Sequence, residues 1–258
     1  MSVDRRDFLR LAGLAGAAAA VTGKAAGAVA QTLPVVAEYE RPLEGRRWAM
    51  VVDLRKWTEE DSRLTREACH RVHNVPEFES PKDEIRWIWT EKFEHAFHEV
   101  EDHHHLAERI KHMDVPLLCN HCDNPPCTRV CPTQATWKRE KDGVVMMDWH
   151  RCIGCRYCIA ACPYGSRSFN WRDPRPHIAN IGHEFPTRQR GVVEKCTLCE
   201  ERLSRGQIPA CVEACRSGAM VFGDLEDPDS QVRKLLAENY TIRRKPNLGT
   251  QPEVYYIV

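Results

Sequence analysis

Apolar residues along this 258-residue chain fall into one long run and several short ones. The long run is Leu9 to Val21. It has the length of the roughly 7–15-residue core of an export signal and is short of the roughly 20 residues that span a bilayer. The short runs are "WAMVVDL" from Trp48, "GVVMMDW" after the Asp142-Gly143 turn, "SRSFNW" from Ser166, "AMVFGD" from Ala219 and "EVYYIV" at the end. Each is bounded by turn residues and reads as a strand. The first strand leads into a helical segment that stops at Asn74-Val75-Pro76, and a short helix is predicted over Gln231–Asn239. Residues 77–112 are charged, aromatic and His-rich, and read as a surface insertion.

The long run changes the picture of where the chain works. Arg5 and Arg6 stand just before Phe8 and Leu9, and Ala28-Val29-Ala30 precedes Gln31. This reads as a twin-arginine export signal over residues 1–30, and the bland alternative is a basic start before a buried helix. The chain carries 37 basic and 37 acidic residues; without residues 1–30 these become 33 and 35. Such a balance gives no argument for nucleic acid. No second apolar run is long enough to span a membrane, so attachment would come through a partner.

Cysteine supplies the chemistry. Twelve of thirteen fall into three tetrads: Cys119, Cys122, Cys127 and Cys131; Cys152, Cys155, Cys158 and Cys162; Cys196, Cys199, Cys211 and Cys215. The middle one is a C-x2-C-x2-C-x3-C-P run, the spacing that holds a cubane iron–sulfur cluster. A zinc ribbon uses two C-x2-C pairs, whereas "CIGCRYC" offers a third close thiol. Cysteines this crowded cannot all find good disulfide partners. A cluster inserted before export of a folded chain would cross with its thiolates already occupied. Lys195, Arg151 and Arg156 flank ligand positions, where cations raise a cluster's reduction potential, or are ordinary surface charges. His95 and His98, beside His103, His104, His105 and His112, could bind a metal or form a solvated surface. No C-x-x-C-H haem site, Gly-rich nucleotide motif or hydrolase motif occurs.

An internal repeat adds a fourth motif. "VVMMDWHRCIGCRYCIAACP" is strand, Asp, cysteine loop and short helix. "WAMVVDLRKWTEE" opens the same way, with Trp57 where a cysteine would stand. Its one cysteine, Cys69, follows Ala68 as Cys162 follows Ala161. This reads as a ferredoxin motif that has lost its first three ligands, with a Trp57–Cys69 gap two residues too long. Otherwise Cys69 is a lone buried thiol.

The stretches "VVDLRK", "PLLCNHCDNPPCTRVCPTQATWKREKDGVVMMDWHRCIGCRYCIAACPYGSR" and "VEKCTLCEERLSRGQIPACVEACRSGAMVFGD" carry a resemblance over most of residues 48–225. The chain resembles the four-cluster ferredoxin-like subunits of membrane oxidoreductases, including polysulfide, tetrathionate and dimethyl sulfoxide reductases. The export signal, the degraded first motif and the tail "LGTQPEVYYIV" look most like the DsrO-type subunit of the sulfite-reduction-associated DsrMKJOP complex.

The resemblance implies an α+β fold of tandem ferredoxin-like double-cluster modules, with short antiparallel strands and short helices. After the signal, 31–112 would hold the degraded motif with the His-rich insertion. Residues 113–190 would form a double-cluster module, and 191–258, with the third-cluster motif, would pair with 46–76. In such modules the fourth cysteine of each motif ligates the partner motif's cluster. That rule implies three [4Fe–4S] clusters: Cys119, Cys122, Cys127 with Cys162; Cys152, Cys155, Cys158 with Cys131; Cys196, Cys199, Cys211 with Cys69. Cys215 would then be free, and the rival wiring exchanges Cys215 for Cys69.

The implied function is non-catalytic, periplasmic electron transfer, with no small-molecule substrate. The implied partners are an integral-membrane quinone-reactive subunit and a multihaem cytochrome or catalytic subunit. The alternatives are a subunit of a molybdopterin polysulfide- or tetrathionate-type reductase, and a structural zinc protein that scaffolds a complex. If the signal reading holds, replacing Arg5 and Arg6 with Lys should strand the protein in the cytoplasm with its clusters intact, as fractionation and absorption spectra would show.

Overall fold

The structure is a computed structural model, and it describes residues 41–98 and 108–258. The export signal over 1–30 and His103–His105 lie outside the described residues. The described residues belong to one compact unit that starts at Glu40.

The strand read over "WAMVVDL" is β1 (Trp48–Asp53), and all six of its residues are buried. It is followed by α1 (Glu59–His73), β2 (Ile88–Lys92), α2 (Phe93–Ala96), α3 (Glu108–Lys111) and β3 (Asp114–Leu118). Then come α4 (Pro126–Arg129), β4 (Thr136–Lys138), β5 (Val145–Met147), α5 (Tyr157–Ala160), β6 (Ser168–Phe169) and β7 (Val193–Glu194). The chain closes with α6 (Glu200–Leu203), α7 (Ala210–Ala214), β8 (Met220–Asp224), α8 (Gln231–Glu238), β9 (Thr241–Ile242) and β10 (Val254–Ile257). Short strands and one-turn helices dominate.

The four-stranded sheet runs β8-β1-β10-β9. β1 pairs antiparallel with β8, Met50 opposite Phe222, and parallel with β10, Met50 opposite Val254. The parallel pair departs from the expected antiparallel arrangement. A parallel pair needs a long crossover, and here nearly the whole described chain supplies it. Alternation divides the faces of β1. Trp48, Met50 and Val52 face the main core with Tyr256 and Met220. Ala49 and Val51 face Val232 of α8 and Leu225. Three two-stranded ribbons, β2-β3, β4-β5 and β6-β7, complete the described sheets, all antiparallel.

α1 has definite ends. Thr58 and Asp61 form a capping box, and Asn74 closes the helix at φ 52°. The Asn74 amide then ties the helix end to another segment: Nδ2 donates to Gly182 O, and Oδ1 accepts the Gly182 N–H. The buried face of α1 carries Asp61, Thr65, Ala68, Cys69 and His73, spaced by three or four residues. Through Ala68 it packs on Ala210 of α7 and on Cys199.

Residues 77–112 correct the reading of a surface insertion. Ile85, Trp87, Ile88, Trp89, Phe93, Ala96 and Phe97 all belong to the main core. Their aromatic richness reflects burial, while the described histidines of the segment, His95, His98 and His112, stay outside the core. Trp87 is fully buried, and its indole N–H donates to Glu194 Oε2 at 2.9 Å. Glu194 also pairs with Arg188 at 2.8 Å, both side chains being shut off from solvent. Arg188 lies over Trp87, Trp149 and Phe185, and its Nη2 donates to Asn74 O at 2.7 Å. Removing one partner of such a pair strands the other charge. Arg188→Met should cost about 3–5 kcal/mol of stability, and Arg188→Met/Glu194→Gln should cost less than Arg188→Met alone, as denaturant unfolding of the iron-loaded protein would show.

Candidate metal centre

All thirteen cysteines are free thiols, and none is exposed. The short elements place twelve of them in three groups, each built from a tight loop and one distant residue, with Cys215 near the third.

In the first group, β3 delivers the chain to Cys119 and Cys122, and α4 carries Cys127. Cys162, just beyond α5, joins them. Burial pushes the Cys122 thiol well up, and Cys119, Cys127 and Cys162 push it further. Cys162 is likewise raised by burial and by Cys119 and Cys127. The C-terminal tail holds this loop closed: the Asp123 and Asn124 N–H groups donate to Gln251 O and Thr250 O at 2.8 and 3.0 Å.

In the second group, Cys131, Cys152, Cys155 and Cys158 line one small cavity. The loop between Cys152 and Cys155 turns at Gly154, where φ is +71° and an added Cβ would lie 2.4 Å from Gly191 O, so only glycine fits. Burial raises Cys131, but hydrogen bonds from Thr136, Thr133 and Ala135 outweigh it and lower its pKa. Burial raises Cys158, against the opposing charge of Arg167.

In the third group, Cys196, Cys199 and Cys211 are buried together. The loop passes through the left-handed region at Leu198 and Cys199, which turns the Leu198 N–H toward Cys196 Sγ at 3.4 Å. The distant member is Cys69 of α1. Burial pushes its thiol far up, and the next causes are the charges of Cys196, Cys199 and Cys211. Burial also takes Cys196 and Cys211 up to about 12. Cys215 lies near Cys211, whose thiol it raises, and its Sγ is 3.6 Å from Ser217 Oγ. The Ser217 N–H donates to Asp61 Oδ1, so the Cys215 loop abuts the capped start of α1. Trp57 is buried, and its indole N–H has no hydrogen-bond partner.

The groups adjoin one another. Cys127 and Cys158 interact across the first and second, and Cys119 and Cys196 across the first and third. The first group is therefore the middle one. Of the cations flagged in the sequence, Arg151 is exposed and donates to Thr133 O. Arg156 is exposed over the Trp171 ring at 4.7 Å. Lys195 is different: it is fully buried, and its Nζ donates to Val145 O and to Cys196 O. Burial pulls its ammonium below the ordinary value, opposed by Cys119, Cys196 and Cys127. Sequence reasoning missed Arg167, whose Nη2 donates to Cys127 Sγ at 3.1 Å. It also missed His73, whose Nε2 lies 2.7 Å from Glu201 Oε1 beside Cys199. No pattern around Arg167 or His73 marks them. The described histidines His95, His98 and His112 are all exposed and gather no ligand set of three or more.

The donor sets fit soft-metal clusters. Four thiolates crowded into one group repel one another, and a metal cluster would carry their charge. The side-chain amide of Asn120 and the Thr197 hydroxyl, beside Cys119 and Cys196, are buried without partners. Such groups suit an anionic cluster carrying sulfides.

Comparison with known proteins agrees. A family model described as a 4Fe-4S dicluster domain matches residues 110–176 and 182–225. The chain is 41% identical to the Hdr-like menaquinol oxidoreductase iron-sulfur subunit 1 of Archaeoglobus fulgidus, over 98% of this chain and 97% of that one. It is 34% identical to a tetrathionate reductase subunit of Salmonella typhimurium, over 100% and 89%. It is also 34% identical to the menaquinone reductase iron-sulfur cluster-binding subunit of Nitratidesulfovibrio vulgaris, over 82% and 88%.

Because thiols near 12 are protonated at neutral pH, cluster assembly should release protons. Reconstitution at pH 7 in weak buffer should acidify the solution, and stripping the iron should abolish cooperative unfolding seen by circular dichroism. The interlocked thiol groups and the full-length relatives give one conclusion: the chain belongs to the 4Fe-4S dicluster family of iron–sulfur electron-transfer subunits of membrane-associated oxidoreductases.

Proposed function

We propose that the chain carries three [4Fe–4S] clusters, one in each thiol group, and relays electrons one at a time along the line second–first–third. Bound there, the clusters supply one-electron redox chemistry. The chain's part is to hold, order and shield them. Cys119, Cys122, Cys127 and Cys162 hold the middle one. Cys131, Cys152, Cys155 and Cys158 hold the one whose ligands are most accessible. Cys69, Cys196, Cys199 and Cys211 hold the most buried.

The observation that carries this reading is the placement of Cys69. Its thiol feels Cys196, Cys199 and Cys211 as its leading charged neighbours. Cys215 acts on Cys211, and its Sγ lies against Ser217 next to the start of α1. There Trp57 stands at the position where a complete motif would have its first cysteine. The first motif keeps its fourth ligand and has lost the cluster of its own.

We also propose a periplasmic site of action on the cytoplasmic membrane, reached by the twin-arginine route and supported by Arg5, Arg6 and the apolar run behind them. Among the described residues no helix is long and apolar enough to cross a membrane. The proposed partners are an integral-membrane quinone-reactive subunit and a multihaem cytochrome or catalytic subunit. The DsrO-type assignment is supported by the relative named for an Hdr-like menaquinol oxidoreductase, which matches end to end at 41% identity. The tetrathionate reductase relative, which favours the molybdopterin-type alternative, also matches along this whole chain, at 34%.

The wiring has a direct test. Iron analysis should give about twelve per chain, four for each cubane. Cys69→Ser should alter one cluster's EPR signal, and Cys215→Ser should leave all signals unchanged. The opposite pair of results would place Cys215 on the third cluster. A colourless, zinc-loaded protein would instead favour the scaffold reading.

A further inference from the structure

Two buried cations beside the thiols have no carboxylate partner among the described residues. Arg167 is 4% exposed. Its Nη2 donates to Cys127 Sγ at 3.1 Å and to Thr136 Oγ1 at 2.9 Å, and its Nη1 faces Met147 Sδ at 3.9 Å. The thiols acting on it are Cys127, Cys158, Cys119 and Cys162, so it lies between the first and second groups. Lys195 is 0% exposed, and its Nζ is bonded to two carbonyl oxygens, those of Val145 and Cys196. The thiols acting on it are Cys119, Cys196 and Cys127, so it lies between the first and third groups.

Other buried cations lie away from the thiols. Arg188 has Glu194 at 2.8 Å. Arg244 spends its N–H groups on Ala96 O and Tyr164 O and lies over the Tyr164 ring.

A buried cation without a counter-charge is strongly disfavoured. Here the counter-charge on offer is a cluster with four thiolates. Reduction adds one negative charge to that cluster, and a nearby cation in a low-dielectric interior favours the reduced form. An N–H donated to a ligand sulfur acts in the same direction. Both of these buried cations act on thiols of the first group, whereas of the two only Arg167 acts on the second and only Lys195 on the third; the other cations beside the outer groups are Arg156, which is exposed, and Arg202, which is paired with Glu213.

We propose that Arg167 and Lys195 set the potential of the middle cluster, raising it so that an electron rests there between the two outer clusters. The proposal rests on the three-cluster reading. The two residues would be positioning residues: Arg167 donates to a ligand sulfur of the middle group, Lys195 acts on it through its charge, and neither binds a substrate nor accepts the electron.

The test is EPR-monitored redox titration of the full iron-loaded chain. Cys162→Ser identifies the middle cluster's signal by altering it. Arg167→Gln and Lys195→Gln should each lower the potential of that signal more than that of the outer cluster remote from the substitution. Arg167→Lys and Lys195→Arg, which keep the charge, should lower it less than the glutamine variants. An unmoved middle potential in both glutamine variants would overturn the proposal. So would charge-keeping variants that fall as far as the neutral ones, since charge would then not be the agent. A second measurement needs no change at either cation: in the unaltered protein, the signal identified by Cys162→Ser should be the first to appear on reduction, and its appearing last would overturn the proposal. Iron content and the number of one-electron steps test the three-cluster reading separately.

Discussion

Thirteen thiols share the interior of a small protein, and that crowding is the constraint on which the rest depends. Each ionised sulfur makes its neighbours harder to ionise, and burial adds to the penalty. The thiols of Cys196 and Cys211 rise to about 12 on these grounds. The only inexpensive way to hold four such groups together is to let a metal cluster take their charge. Cluster and fold then become one system, because no segment of the cysteine-bearing region forms a large core of its own. The one-turn helices α4, α5, α6 and α7 are too short to persist alone. Their role is to aim a thiol or to end a ligand loop.

The aromatic core performs the complementary task of joining the ends of the chain to the middle. β1 from the N-terminal part lies between β8 and β10 from the C-terminal part. Tyr256 of β10 donates its hydroxyl to Pro116 O of β3, just before Cys119. α1, anchored by Asn74 and by Arg188, brings Cys69 across the molecule to Cys196, Cys199 and Cys211. A thiol at position 69 is therefore useful only because the sheet and the Arg188–Glu194 pair fix the helix that carries it.

Much of this was legible in the sequence, and for a local reason. Cluster loops are encoded by spacing, so "CIGCRYCIAACP" announces its ligands without any knowledge of the rest. The strand read from "WAMVVDL" is β1, and its strand–Asp opening is what suggests a relic of the same motif. Residues 77–112 were misread because their charge count hid an aromatic core; Trp87 and Trp89 look like any other residues of a polar stretch until β2 pairs with β3. The parallel pairing of β1 and β10 joins residues some two hundred apart and leaves no mark in either strand. Arg167 carries no mark in the sequence, and Lys195 reads no differently from Arg151 and Arg156. A basic residue beside a cysteine is common on a surface, and only packing decides that these two point inward while Arg151 and Arg156 point out.

The central claim is that three clusters stand in a line, with the fourth position of the family's pattern filled by side chains. Diffraction from crystals of the iron-loaded protein, collected at the iron absorption edge, tests it most directly. The anomalous map should show three iron sites: one among Cys131, Cys152, Cys155 and Cys158, one between Arg167 and Lys195, and one beside Cys69. A fourth site next to Cys215 and Trp57, or a third site ligated by Cys215 with Cys69 remote, would contradict the account.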